Sequence, residues 1–135
     1  MNHKFFILSL CILLVCGACK RETRDEKFQR DFQEFTLKEC PKFVDPCTRL
    51  DSAHYDTESR TLSYFYTVQD LLDDDSLYTE DLIETFHDDI LKGLKGSLQL
   101  KPYKDESITF RYAYRSISTG KVLLDLTFTP EDYGQ

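Results

Sequence analysis

The sequence predicts an α+β domain in which two helices pack on one face of a four-stranded antiparallel sheet. Three observations predict it: two stretches carry apolar residues at helical spacing, two pairs of stretches alternate at strand spacing, and turn formers separate the members of each pair. The resulting order is α-β-β-α-β-β, with each pair of strands closed as a hairpin.

The first helix is read from Phe28, Phe32 and Phe35, which recur at i, i+4 and i+7 among Gln, Arg, Asp and Glu. Pro41 disfavours helical backbone at the residue before it, so the helix ends near Cys40. Thr48 to Asp56 then reads as a strand of mixed faces, and Asp56-Thr57-Glu58-Ser59 as a turn. In Thr61 to Val68, Leu62, Tyr64, Tyr66 and Val68 alternate with Thr61, Ser63, Phe65 and Thr67, all good strand formers, which completes the first hairpin.

Leu71 to Tyr78 is acidic and irregular. Thr79 can cap a second helix whose first turn holds Glu80 and Asp81, favourable at the positive end of the helix dipole. Leu82, Phe86, Ile90 and Leu94, joined by Ile83 and Leu91, form its apolar stripe, and Gly93 and Gly96 mark its end. The second hairpin has Ile108, Phe110, Tyr112 and Tyr114 on one strand and Val122, Leu124, Leu126 and Phe128 on the next, with Ser118-Thr119-Gly120 as the turn and Pro130 as the stop. Phe and Tyr are expected to fill the core, and the two helix-hairpin units do not match residue for residue.

Ahead of this domain, His3 and Lys4 precede an apolar run from Phe5 to Cys16 broken only by Ser9, and then come Gly17 and Ala18. About 20 helical residues are needed to cross a bilayer core, so this shorter run reads as a cleaved signal peptide, residues 1–18. Residues 19–26 then form the N-terminus of the exported chain and a tether, because Lys20 to Glu26 holds charged residues and one Thr and cannot bury a core face. Residues 27–135 form a single domain. Losing Lys4 with the signal takes the formal charge from −7 to −8, which disfavours nucleic acid as a partner.

Val15-Cys16-Gly17-Ala18-Cys19 resembles the lipobox of bacterial lipoproteins, although that family prefers Leu where this chain has Cys16. The resemblance implies that Cys19 carries diacylglycerol and palmitate and becomes the mature N-terminus. Several acyl chains would then hold the domain firmly on a membrane. Lys20 departs from the Asp that retains such proteins in the inner membrane, which points to the outer membrane. The alternative is ordinary signal peptidase cleavage after Ala18. Beyond the lipobox, the layout resembles small uncharacterised envelope lipoproteins of Gram-negative bacteria, with a helix-and-sheet fold of cystatin-like character.

With Cys11 and Cys16 removed and Cys19 lipidated, Cys40 and Cys47 remain and are expected to form a disulfide in an oxidising periplasm. A metal site would need further ligands, and His54 and His87 lie far off in sequence; a redox pair would be spaced more closely.

Three constellations invite chemistry. The acidic run Asp70, Asp73, Asp74, Asp75, Asp81 and Glu84 approaches a calcium loop, but Leu77 offers no side-chain oxygen and Tyr78 replaces the turn Gly. It reads as a solvated loop, and no metal is expected. His54 and His87 stand near carboxylates but in no nucleophile, zinc or phosphate-loop motif, so no catalytic residue and no cofactor is assigned. Tyr55, Tyr64, Tyr66, Tyr112 and Tyr114 could form a sugar or protein platform, yet alternating aromatics are first a core. If helices cover their side, the opposite face shows Thr61, Ser63, Phe65, Thr109, Arg111, Ala113 and Arg115. A partner surface is expected there, with Phe65 as its apolar anchor and Arg111 and Arg115 as its polar ones.

The expected function is that of a membrane-anchored, non-enzymatic binding or interaction module of the cell envelope, with an envelope protein as partner. The alternatives are a small periplasmic hydrolase with a dispersed carboxylate and histidine site, and a structural envelope component.

Overall fold

The computed structural model describes residues 19–134, so the expected signal peptide lies outside the described residues. The elements are α1 (Arg24–Glu39), β1 (Lys42–Asp45), β2 (Thr48–Asp56), β3 (Thr61–Val68), α2 (Glu80–Gly96), α3 (Lys101–Asp105), β4 (Thr109–Ser116), β5 (Val122–Phe128) and α4 (Pro130–Tyr133). Two short 3₁₀ turns, Asp70–Leu72 and Asp75–Leu77, lead from β3 to α2. None of the described helices is long and apolar enough to cross a membrane.

The α+β class stands, but the sheet has five strands in the order β1-β2-β3-β4-β5 and is mixed. Both expected hairpins are present, β2 with β3 and β4 with β5, each antiparallel. The join between them is parallel, Leu62 opposite Phe110 and Tyr66 opposite Tyr114. The reason lies in helix length. At about 1.5 Å per residue, the 17 residues of α2 span about 25 Å. The eight residues of β3 span about 26 Å, so the helix carries the chain back to the end where β3 began. The fifth strand, β1, comes from the loop between the cysteines, which folds back on β2 with Asp45 opposite Thr48.

In β2 the register slips between Leu50 and Ser52, leaving Asp51 as an extra residue opposite the Tyr66–Phe65 step. The bulge switches the inward parity, so Thr48 and Leu50 before it and Ala53 and Tyr55 after it are all buried. This is why the strand reads as mixed-faced in sequence.

α1 begins earlier than expected, inside the run assigned to the tether. Thr23 closes a capping box: its hydroxyl accepts from the Glu26 amide at 3.1 Å, and the Glu26 carboxylate accepts from the Thr23 amide at 2.8 Å. Cys19 to Glu22, ahead of the Thr23 cap, have no regular secondary structure and are exposed. α1 lies along β2, where the Thr36 hydroxyl donates to the Ala53 carbonyl at 2.8 Å and accepts from the Ala53 amide at 2.9 Å. The core gathers Phe28 and Phe32 of α1, Ala53 and Tyr55 of β2, Leu62 of β3, Leu94 of α2, Phe110 and Tyr112 of β4, Phe128 of β5 and Tyr133 of α4 on one side of the sheet.

Candidate binding groove and the open sheet face

On the helix-covered side the sheet is roofed incompletely. β3 and β4 run parallel and in register, which sets Tyr64 beside Tyr112 and Tyr66 beside Tyr114. The rings stack in those pairs, at 5.3 Å and 23° for the first and 4.6 Å and 10° for the second. These four tyrosines floor two cavities that share Tyr66. The larger, about 400 Å³, is walled by Phe32 and Phe35 of α1, Lys42 of β1, and Leu100 and Tyr103 at α3. The smaller, about 200 Å³, is walled by Val44 and Asp45 of β1, Leu72 and Tyr78 before α2, and Phe86 of α2. Together they form a groove along the strands between α1 with β1 on one side and α2 with α3 on the other.

The electrostatics of the floor follow from burial. Loss of solvent pushes the phenols of Tyr64, Tyr66 and Tyr112 well above the usual range, with neighbouring phenols as a smaller cause, and that of Tyr114 up to about 12. All four therefore stay protonated as donors. None donates to another described residue, and among the described residues no buried side-chain oxygen or nitrogen is left unpaired, so none of these hydroxyls is fully buried. Alternating aromatics read first as core, and Tyr112 is part of it, with Tyr64, Tyr66 and Tyr114 part-buried against it; what remains open of these three follows from the gap between the helices, which strand periodicity does not display.

The residues expected to make a partner surface do come together. Phe65, Arg111 and Arg115 line a depression of about 290 Å³ with Asp51, Ala113 and Val122, on the face away from the helices. Arg111 grips Asp125 through Nε at 2.9 Å and Nη2 at 2.6 Å, and its guanidinium sits 5.9 Å from the centre of the Phe65 ring. This pairing lowers the Asp125 carboxyl. Asp125 was not singled out in the sequence, although it faces Ala113 across the β4–β5 ladder. Arg115 is exposed.

The disulfide expectation is corrected: Cys40 and Cys47 are free thiols. Cys40 caps the end of α1 and Cys47 sits in the turn after β1, so the extended strand holds them roughly 15 Å apart at about 3.3 Å per residue. A disulfide needs Cα atoms within about 7 Å. Burial pushes the Cys40 thiol up, which makes it a poorer nucleophile. Cys19 is exposed just ahead of α1.

His54 is exposed on β2, whereas His87 of α2 packs 5.0 Å from the Phe128 ring and contacts Asp88. The two do not share a cavity. Asp73 accepts from Ser116 and Ser118, Asp74 from Ser76, and Asp75 from Lys121. Among the described residues no three His, Cys, Asp or Glu side chains converge as metal ligands.

The model of a family described as Domain of unknown function (DUF8479) matches residues 23–124. No curated protein matches. Among solved structures, the fold is similar to that of a "putative secreted protein" from Pseudomonas aeruginosa, at TM-score 0.65 and 6% identity over 84% of this chain and 98% of that one. It is also similar to a type 2 secretion system pilotin from Vibrio vulnificus, at TM-score 0.59 and 10% identity over 82% and 92% of the two chains. A type II secretion system pilotin from Vibrio cholerae gives TM-score 0.50 and 14% identity over 78% and 95%. At these identities the likeness is one of fold.

Proposed function

The chain belongs to the family described as Domain of unknown function (DUF8479), and from that premise we propose that it is a non-enzymatic binding protein of the cell envelope. It is tethered through lipid on Cys19, in the outer membrane, and holds an apolar peptide segment of an envelope protein in the tyrosine-floored groove. The observation that carries this reading is the groove itself. Aromatic side chains offer large apolar area at low entropic cost, and protonated phenols supply donors for a peptide's carbonyl oxygens. The fold shared with two secretion-system pilotins supports this reading. The lipobox-like residues ahead of Cys19 support the anchor, as does the exposure of Cys19.

A photo-crosslinking residue placed at Leu100, on the groove wall, is expected to give a defined adduct in living cells. The same residue at Leu37, exposed on α1, is not. Absence of the adduct at Leu100, or its survival when Tyr64 and Tyr66 are both changed to Ser in a protein that still folds, removes the groove from the function. Mass spectrometry of the mature N-terminus tests the anchor separately, and an unmodified Cys19 overturns it.

The open face supports a second reading. Phe65, Arg111 and Arg115 gather in one depression, so they are proposed as a further contact for a protein partner. Alanine at Phe65 and Arg115 together should then weaken capture of that partner while the groove adduct at Leu100 persists.

A further inference from the structure

We infer that the smaller cavity of the groove is a receptor for an organic cation, and that the occupant is an Arg or Lys side chain of the bound partner. The inference rests on the groove reading and adds the chemistry of one end of it. Four aromatic rings, Tyr66, Tyr78, Phe86 and Tyr114, line a space of about 200 Å³ together with the carboxylate-bearing Asp45. They stand in two stacked pairs, Tyr66 with Tyr114 and Tyr78 with Phe86, the second at 6.3 Å and 12°. Aromatic faces attract Lys and Arg through their quadrupole, most strongly where water is excluded. No Lys or Arg lines the cavity. The segment that supplies Leu72 and Tyr78 adds to the bias: from Gln69 to Tyr78 it holds Asp70, Asp73, Asp74 and Asp75, the last paired with Lys121, and no Lys or Arg. A cavity of this size is below the range of about 300 to 1,000 Å³ that takes drug-sized ligands, and suits one side-chain head. The larger cavity next to it, lined by Tyr64, Tyr112 and Leu100, takes the apolar part of the same segment.

The test is an NMR titration of the isotope-labelled full chain in nonionic detergent with three probes: Nα-acetylargininamide, choline, and 3,3-dimethylbutan-1-ol, which is the neutral carbon analogue of choline. Saturable shifts at Tyr66, Tyr78, Phe86 and Tyr114 are expected with the arginine probe, and binding of the neutral alcohol is expected to be about tenfold weaker. Phe86→Leu, which keeps an apolar side chain, and Asp45→Asn, which keeps the acceptor for the Cys47 amide at 2.8 Å, should each weaken the arginine probe several-fold. Equal binding of the alcohol overturns the inference, because the cavity is then merely apolar. Absence of shifts at tens of millimolar overturns it too. Choline bound at least tenfold more tightly than the arginine probe shifts the assignment to a lipid headgroup and overturns the side-chain occupant. A groove adduct at Leu100 in cells, with no cation preference in the titration, leaves the function standing and removes only this inference; failure of both removes both.

Discussion

The hydroxyl of Tyr55 on β2 donates to Asp25 Oδ1 on α1 at 2.7 Å. Arg60, in the turn between β2 and β3, reaches the same oxygen at 3.3 Å and the Glu106 carbonyl at 3.0 Å. The start of α1, a β-turn and the end of α3 are thereby joined at one pole of the molecule. Tyr55→Phe keeps the buried ring and removes one hydrogen bond to a charged acceptor. A loss of about 1.5 to 3 kcal/mol is expected, read from the urea midpoint at unchanged slope.

The same phenol sets an alkaline limit. Burial, and then the bond to Asp25, push Tyr55 up to about 12 from its ordinary value near 10. A group whose folded value is raised contributes stability that is complete below its unfolded value and is lost as pH climbs through the folded one. The protein should therefore hold its midpoint up to about pH 10 and lose stability between about pH 10 and 12. Tyr55→Phe should lose less over that interval, and a profile as steep as the parent's would refute the assignment.

Lys104 is buried, and its ammonium donates to the carbonyls of Leu94 and Lys95, both at 2.9 Å. It closes the last turn of α2 in place of a glycine cap, and the positive charge suits the negative end of that helix. Lys104→Met keeps the aliphatic stem and orphans both carbonyls. The expected cost is about 2 to 3 kcal/mol, with amide exchange accelerated first at Lys95 and Gly96.

Because β1 separates the two cysteines, oxidation should do nothing to the fold. Cys47→Ser is expected to leave the unfolding midpoint within about 0.5 kcal/mol of the parent, with or without reductant. A bridge closing that short loop would contribute about 2 to 3 kcal/mol, so a reductant-sensitive midpoint in the parent would restore the disulfide.

Most elements were legible because their signals are local. The Phe28, Phe32 and Phe35 stripe, the Thr79 cap and the alternating Tyr64–Tyr66 and Tyr112–Tyr114 runs each predict the element that forms. The orientation of β4 against β3 was not legible, because it depends on α2 being as long as the strand it crosses. β1 was hidden by its four residues and flanking prolines, and the Asp51 bulge by the break it makes in period two. The grouping of Phe65, Arg111 and Arg115 on one open face came from strand parity alone, which survives these three misses because β3 and β4 carry no bulge between them. The groove did not, since an aromatic at an inward position reads as core whether or not a helix lies above it.

The clasp of Thr36 on Ala53 leaves the β2 margin with little to offer a neighbouring chain. Further along this side β1 contributes four residues, bracketed by Pro41 and Pro46. The longer open margin of the described sheet is β5, Val122–Phe128, so two copies that meet are expected to pair strand to strand there rather than at the short, proline-bracketed β1.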